Sequence, residues 1–152
     1  MEQPERSSEA PKTDHPQLFE LRRTQKKKNC LETTLLCYNH ETTALLDDGA
    51  EQNYVTNEYI KKHKIKTIPL AKTFRLTSFD EDFPIGNNEG LITQMARLPI
   101  TIQDHYEIVN CYVINITGTH SIVLGWPWHE FHDPEISFRN RTIEFTRCHC
   151  KR

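Results

Sequence analysis

From Cys30 onward, apolar and β-branched residues of this chain recur at every second position more often than at helical spacing. That period is the alternation of side chains across a strand, and no other feature restricts the fold as strongly. Leu31, Thr33, Leu35 and Cys37 alternate with polar or smaller neighbours, which predicts a strand. Asn39-His40-Glu41 reads as a turn, and Thr42 to Leu46 as a second strand running into Asp47-Asp48-Gly49-Ala50. Further strands are predicted over Lys72 to Phe79, Phe83 to Ile85, Leu91 to Ile102, Tyr106 to Ile116 and Ile122 to Leu124. A final hairpin joins Ile136-Ser137-Phe138 to Thr142-Ile143-Glu144-Phe145. The best helix candidate runs from Asn57 to Ile65, capped by Thr56 or Asn57 and followed by Pro69. Trp126 to His132 supplies one or two further helical turns. Many short strands with one convincing helix predict a mainly β fold, a barrel or a sandwich.

Length and charge set the domain plan. A chain of 152 residues suits one domain. Residues 1–28 carry seven basic and five acidic groups, net +2, and after Met1 only Leu18, Phe19 and Leu21 as large apolar residues. Such a segment buries too little surface to offset its ordering entropy, so 1–28 reads as a disordered basic arm, with Leu18 to Lys28 as its one short helix candidate. Residues 29–150 form the folded domain. The overall charge of -2 argues against a nucleic-acid binder, and the Arg22-Arg23 and Lys26-Lys27-Lys28 run reads as a solvated linker. No apolar run approaches the ~18 residues of a membrane span, and the start at Met1-Glu2-Gln3-Pro4 lacks a signal core. With five cysteines, an odd number, the expected setting is intracellular and reducing, cytoplasmic or nuclear.

The acidic loop carries the most chemical information. In Ala44-Leu45-Leu46-Asp47-Asp48-Gly49-Ala50 a carboxylate follows an apolar strand and precedes a glycine, which permits close backbone approach or a positive φ. Alone, this is a common Asp-Asp-Gly turn. Downstream, Ile122-Val123-Leu124-Gly125 is a second apolar run closing on glycine. The two segments together resemble the retropepsin-like aspartic proteases. Gly125-Trp126-Pro127-Trp128, followed by His132-Asp133-Pro134-Glu135-Ile136-Ser137-Phe138, resembles the Gly-x-Pro-Trp-Leu and His-Asn-Pro-x-Ile-Asp-Trp signature of gypsy-class LTR retrotransposons. The likeness is to the sushi group and its domesticated vertebrate relatives, and it covers roughly residues 30–150.

The resemblance implies a small closed barrel of the retropepsin type with one or two short helices. Asp47 takes the place of the catalytic aspartate, with Asp48, Gly49 and Ala50 completing its loop. Ile122, Val123, Leu124 and Gly125 take the place of the strand that braces it. Leu76, Phe79, Asp80 and Glu81 correspond to the flap, within a hairpin from Phe74 to Gly86. One aspartate loop per chain implies a homodimer acting on an extended peptide or polyprotein. Position 48 is usually Ser or Thr in the family, and Asp48 keeps the acceptor while losing the donor. Two functions therefore stay open: an aspartic endopeptidase, or a degenerate domain acting in dimerisation or peptide binding. No cofactor is expected. No metal site is expected either, because Cys148-His149-Cys150 with Cys30, Cys37, His40 or Cys111 fits usual zinc spacing poorly. His129 and His132 read as packing or surface residues.

Overall fold

The computed structural model describes residues 22–23, 31–76, 90–115 and 120–150. A two-residue strand β1 (Arg22–Arg23) precedes the hairpin of β2 (Leu31–Cys37) and β3 (His40–Leu46). Then come β4 (Tyr54–Thr56), α1 (Asn57–Lys62), β5 (Ile68–Arg75), β6 (Leu91–Ile102) and β7 (His105–Ile114). The chain ends with β8 (Ile122–Leu124), α2 (Trp126–His132), β9 (Glu135–Ser137) and β10 (Thr142–Glu144). No helix among the described residues is long and apolar enough to cross a membrane.

The main sheet runs β1-β2-β3-β8-β4-β7-β6-β5, and β2 also pairs with β6 through Leu36↔Thr101 and Cys37↔Ile100. That extra pairing closes six strands into a barrel, as the resemblance implied. One edge of β2 is divided: Leu31 and Glu32 pair with β1, while Leu36 and Cys37 pair with β6. Two parallel contacts, β3 with β8 and β4 with β7, sit among antiparallel ones. In β2 the alternation holds residue by residue, with Leu31, Thr33, Leu35 and Cys37 buried.

Local chemistry corrects several boundaries. The first turn lies at Tyr38-Asn39, where φ is 50° and 64°, so His40 and Glu41 belong to β3. Two left-handed residues in a two-residue loop match the twist of the flanking strands, and asparagine tolerates that conformation. Thr56, not Asn57, caps α1: its hydroxyl accepts from the Tyr59 N–H at 3.2 Å. The helix stops at Lys62, short of Ile65, because Lys64 turns left-handed (φ 52°) and the Ile65 N–H returns to the Ile60 carbonyl. Pro69 lies inside β5 rather than before it. This is the last strand of the order, where a missing N–H is tolerated. Within the segment read as a short helix, Arg22–Arg23 is a strand instead. The rest of that segment and the strand over Phe83 to Ile85 lie outside the described residues.

Two apolar clusters divide the interior. The larger gathers Leu35, Cys37, Leu46, Leu98, Val109, Cys111 and Leu124 with Trp128, Ile143 and Phe145. The smaller joins Leu45, Ala50, Tyr54, Ile92, Ile114 and Val123, with Leu70, Phe74, Leu76 and Tyr112 against it. Alternation in β3 and β8 explains the split: Leu46 and Leu124 go to one cluster, Leu45 and Val123 to the other.

Candidate active site

The parallel pairing of β3 with β8 sets Leu45 opposite Val123 and Leu46 opposite Leu124. Both strands end at the same level, so the residues after them share one edge of the barrel. There the Asp47 N–H donates to the Leu124 carbonyl at 3.0 Å. The turn closes when the Ala50 N–H donates to the Asp47 carbonyl at 3.1 Å, and the Trp126 N–H donates to the Ala50 carbonyl at 2.7 Å. Asp47 is only 2% exposed, and its Oδ1 accepts the Gly49 N–H at 3.0 Å. Gly49 serves through close approach rather than positive φ, since a Cβ there would stand 3.2 Å from Asp47 Oδ1. Asp48 and Gly49 are exposed, while Ala50 is buried.

The four residues read as bracing the loop lie in β8 and at the start of α2. Ile122, Val123 and Leu124 are buried in β8. Gly125 follows as the N-cap of α2, and a Cβ there would lie 2.1 Å from the Gln52 carbonyl oxygen and 2.8 Å from that of Ala50. Only glycine lets α2 begin this close to the loop. Its N–H donates to Asn53 Oδ1 at 2.8 Å, and the Asn53 carbonyl accepts the Tyr112 N–H at 2.9 Å. Asn53, fully buried, thus ties the loop to α2 and β7. Pattern reading passes over it, since a polar residue after a turn looks like more turn.

Of the residues read as a flap, Leu76 lies at the end of the β5–β6 hairpin. The Leu76 N–H donates to the Gly90 carbonyl at 2.7 Å, closing the β5–β6 hairpin, and Phe74 packs edge-on to Tyr112 at 5.0 Å. Leu76 and Ala50 border the same small cluster, so the root of the hairpin and the aspartate loop lean on common residues. Phe79, Asp80 and Glu81 lie outside the described residues.

Residues 43–152 match the PEG10/RTL1 protease domain family. The chain belongs to that family. Its fold is similar to that of a retropepsin-like aspartic protease from Rickettsia conorii, at 15% identity and TM-score 0.52, over 85% of this chain and 89% of that one. Two further solved structures are similar. The retroviral protease-like domain of Ddi1 from Leishmania major shows 12% identity and TM-score 0.48, over 78% of this chain and 94% of that one. EIAV protease complexed with the inhibitor HBY-793 shows 17% identity and TM-score 0.45, over 70% and 91% respectively. The chain therefore contains a retropepsin-like aspartic protease domain of domesticated retrotransposon origin.

In this PEG10/RTL1-type domain, the tryptophan and histidine of the sequence signature meet at a carboxylate that pattern reading missed. Glu107 is 1% exposed on the inward face of β7. Trp128 Nε1–H donates to its Oε2 at 2.9 Å, and His132 Nε2 lies 2.8 Å from its Oε1. Hydrogen bonds to a charged group contribute about 1.5–3 kcal/mol each, and a carboxylate buried without them would be strongly destabilising. Burial alone would lower the His132 pKa, but hydrogen bonding and charge from Glu107, with Cys148, raise it overall. His132 is thus a buried polar residue, not a surface one. His129 is different: burial pushes its pKa down against the Gly125 carbonyl and the charges of Asp48 and Asp47. Its Nδ1 donates to Gly125 at 2.8 Å, pinning the first turn of α2 beside the aspartate loop.

Beyond Glu107 the same pocket contains His105, Cys148 and Cys150. Together with His132 they place four ligand-type atoms within 4.8 Å of one another. From the sequence, Cys30, Cys37, His40 and Cys111 are the partners considered for the terminal cysteines, and their poor zinc spacing leads to the expectation of no metal site. Cys37 and Cys111 instead lie in the larger apolar cluster, where burial raises both thiols, Cys37 to about 11. His149 between the two terminal cysteines is exposed. An extended Cys-x-Cys puts both sulfurs on one side. The two histidines, far away in sequence, leave no local signal.

Proposed function

We propose that the chain is an aspartic endopeptidase that works as a homodimer, each copy supplying Asp47. The observation that carries this reading is the setting of Asp47: a buried carboxylate at the end of β3, fixed by Leu124 and Gly49 on a retropepsin-type barrel. Two such carboxyls brought together across a two-fold axis share one proton. The ionised one takes a proton from water, the protonated one donates to the scissile carbonyl oxygen, and the resulting gem-diol collapses as the amide nitrogen is protonated. An extended peptide or polyprotein segment would lie beneath the hairpin rooted at Leu76 and Gly90, held mainly through its backbone. Buried thiols at Cys37 and Cys111 suit a reducing cytoplasmic or nuclear setting.

Asp47→Asn tests the reading. It keeps the volume and the acceptor for Gly49 but cannot share a proton in the same way. Cleavage of a peptide library should fall by about 1000-fold or more, with an unchanged circular dichroism spectrum. Cleavage that persists in Asp47→Asn removes Asp47 from the chemistry. The exposed Asp48 favours a second reading, in which the barrel dimerises or binds peptides without cutting them. Activity that arises only in Asp48→Ser would select it.

A further inference from the structure

We propose that His105, His132, Cys148 and Cys150 bind a structural zinc ion at the end of the barrel where the C-terminal segment docks. The four residues come from three separate parts of the chain: the start of β7, the end of α2, and the segment after β10. Their ligand atoms converge within 4.8 Å. Cys148 Sγ lies 3.6 Å from His105 Nε2, and Cys150 Sγ lies 3.6 Å from His132 Nδ1. In a tetrahedral site with Zn–S near 2.3 Å and Zn–N near 2.05 Å, the sulfur–nitrogen edge is roughly 3.6 Å. Both pairs already stand at that separation.

The surroundings prepare the ligands. The nitrogens that face away from the sulfurs turn to one carboxylate: His132 Nε2 is 2.8 Å from Glu107 Oε1, and His105 Nδ1 is 3.4 Å from Glu107 Oε2. At His132 the hydrogen bond to Glu107 fixes the tautomer and leaves the Nδ1 lone pair for the metal, while the longer His105 contact sets the same carboxylate behind the second ring. Phe145 stacks on the His105 ring at 4.0 Å and 13°, and the two imidazoles meet edge to face at 4.6 Å. Both histidines are fully buried and both cysteines half-buried, so the site is shielded yet reachable.

The charge balance suits a buried site. Zinc replaces the two thiol protons, which leave to solvent, so a dication enters as two thiolates form and the net charge of the pocket is unchanged. Two soft sulfur and two imidazole ligands select zinc over calcium or magnesium. All four positions of the tetrahedron are protein ligands, which gives a closed structural site with no place for a reacting water. It is independent of Asp47.

The test uses the reduced full chain. Metal analysis should find about one zinc per chain. Cobalt(II), substituted for zinc, should give thiolate-to-metal charge transfer and the intense d–d bands of a tetrahedral centre. A Cys148→Ser/Cys150→Ser double variant should lose both, while Cys37→Ser and His149→Ala keep them. Glu107→Gln should weaken binding by roughly 10–100-fold. A chelator should lower the melting temperature of the natural chain but leave that of the double variant unmoved. A chain that takes up neither metal, a cobalt spectrum without the thiolate band, or binding unchanged in the double variant would overturn the site. The cobalt spectrum of the natural chain decides even if a variant does not fold.

Discussion

Asp47 and Asp48 are neighbours in sequence and opposites in setting. One is held inside the turn by backbone bonds; the other faces solvent at the tip of the same loop. A hydroxyl at position 48 could donate and accept across a two-fold axis, whereas a carboxylate only accepts and repels its own copy. Asp48→Ser is therefore expected to raise dimer affinity and peptide cleavage by about tenfold, the equivalent of one hydrogen bond of ~1.4 kcal/mol. Sedimentation and cleavage rates measured on the same preparations check this together. Cys37 gives a residue-scale prediction about stability. Burial raises its thiol from 9.0 to about 11. As pH climbs past 9 the unfolded chain gives up that proton first, so stability is complete below pH 9 and declines towards pH 11. The loss at pH 10.5 is about 2 kcal/mol. In Cys37→Ala, urea unfolding at pH 8 and pH 10.5 should differ by about that much less. Tyr54, pushed to about 12, adds its own loss at higher pH in both chains.

Among the elements, α2 decides the most. It starts from Gly125 against the backbone of the aspartate loop and ends at Asp133, whose left-handed φ of 42° stops the helix before Pro134. Between those ends it delivers Trp128 and His132 to Glu107. Gly125→Ala would drive a methyl group into the Gln52 carbonyl, so loop or helix must move. Overpacking of that kind costs about 3 kcal/mol, which a melting curve should show as a fall of roughly 10 °C. The loop geometry, and with it any cleavage, should suffer more than the barrel. The limits of this helix were legible in the sequence because Gly125 and Asp133-Pro134 bound it, and those of β6 although Leu98, Ile100 and Ile102 alternate only weakly. The first turn starts one residue and ends two residues earlier than the sequence predicts, because Tyr38 gives no sign of its left-handed backbone. Glu107 was passed over because a carboxylate on an inward face breaks the alternation rule unless its partners are known. Those partners, and the joining of His105 to Cys148, depend on the path of the chain between them, which no short window contains.

At the scale of the whole molecule, the β2–β6 pairing closes the barrel, and only tertiary structure reveals it. One barrel displays one aspartate loop, and the chemistry above requires two. If the proposed mechanism holds, the full chain should sediment as a monomer–dimer equilibrium. A chain monomeric at every pH would exclude the shared-aspartate mechanism. The bond from Asp47 to the Leu124 carbonyl also orders events in time. At a synthesis rate of 5–20 residues per second, the second partner leaves the ribosome's catalytic centre about 4–15 s after the first. Until then the acidic loop has no brace and α2 has not formed. The carboxylate is made early and assembled late, so the order of translation leaves the loop unfinished until β8 has been made.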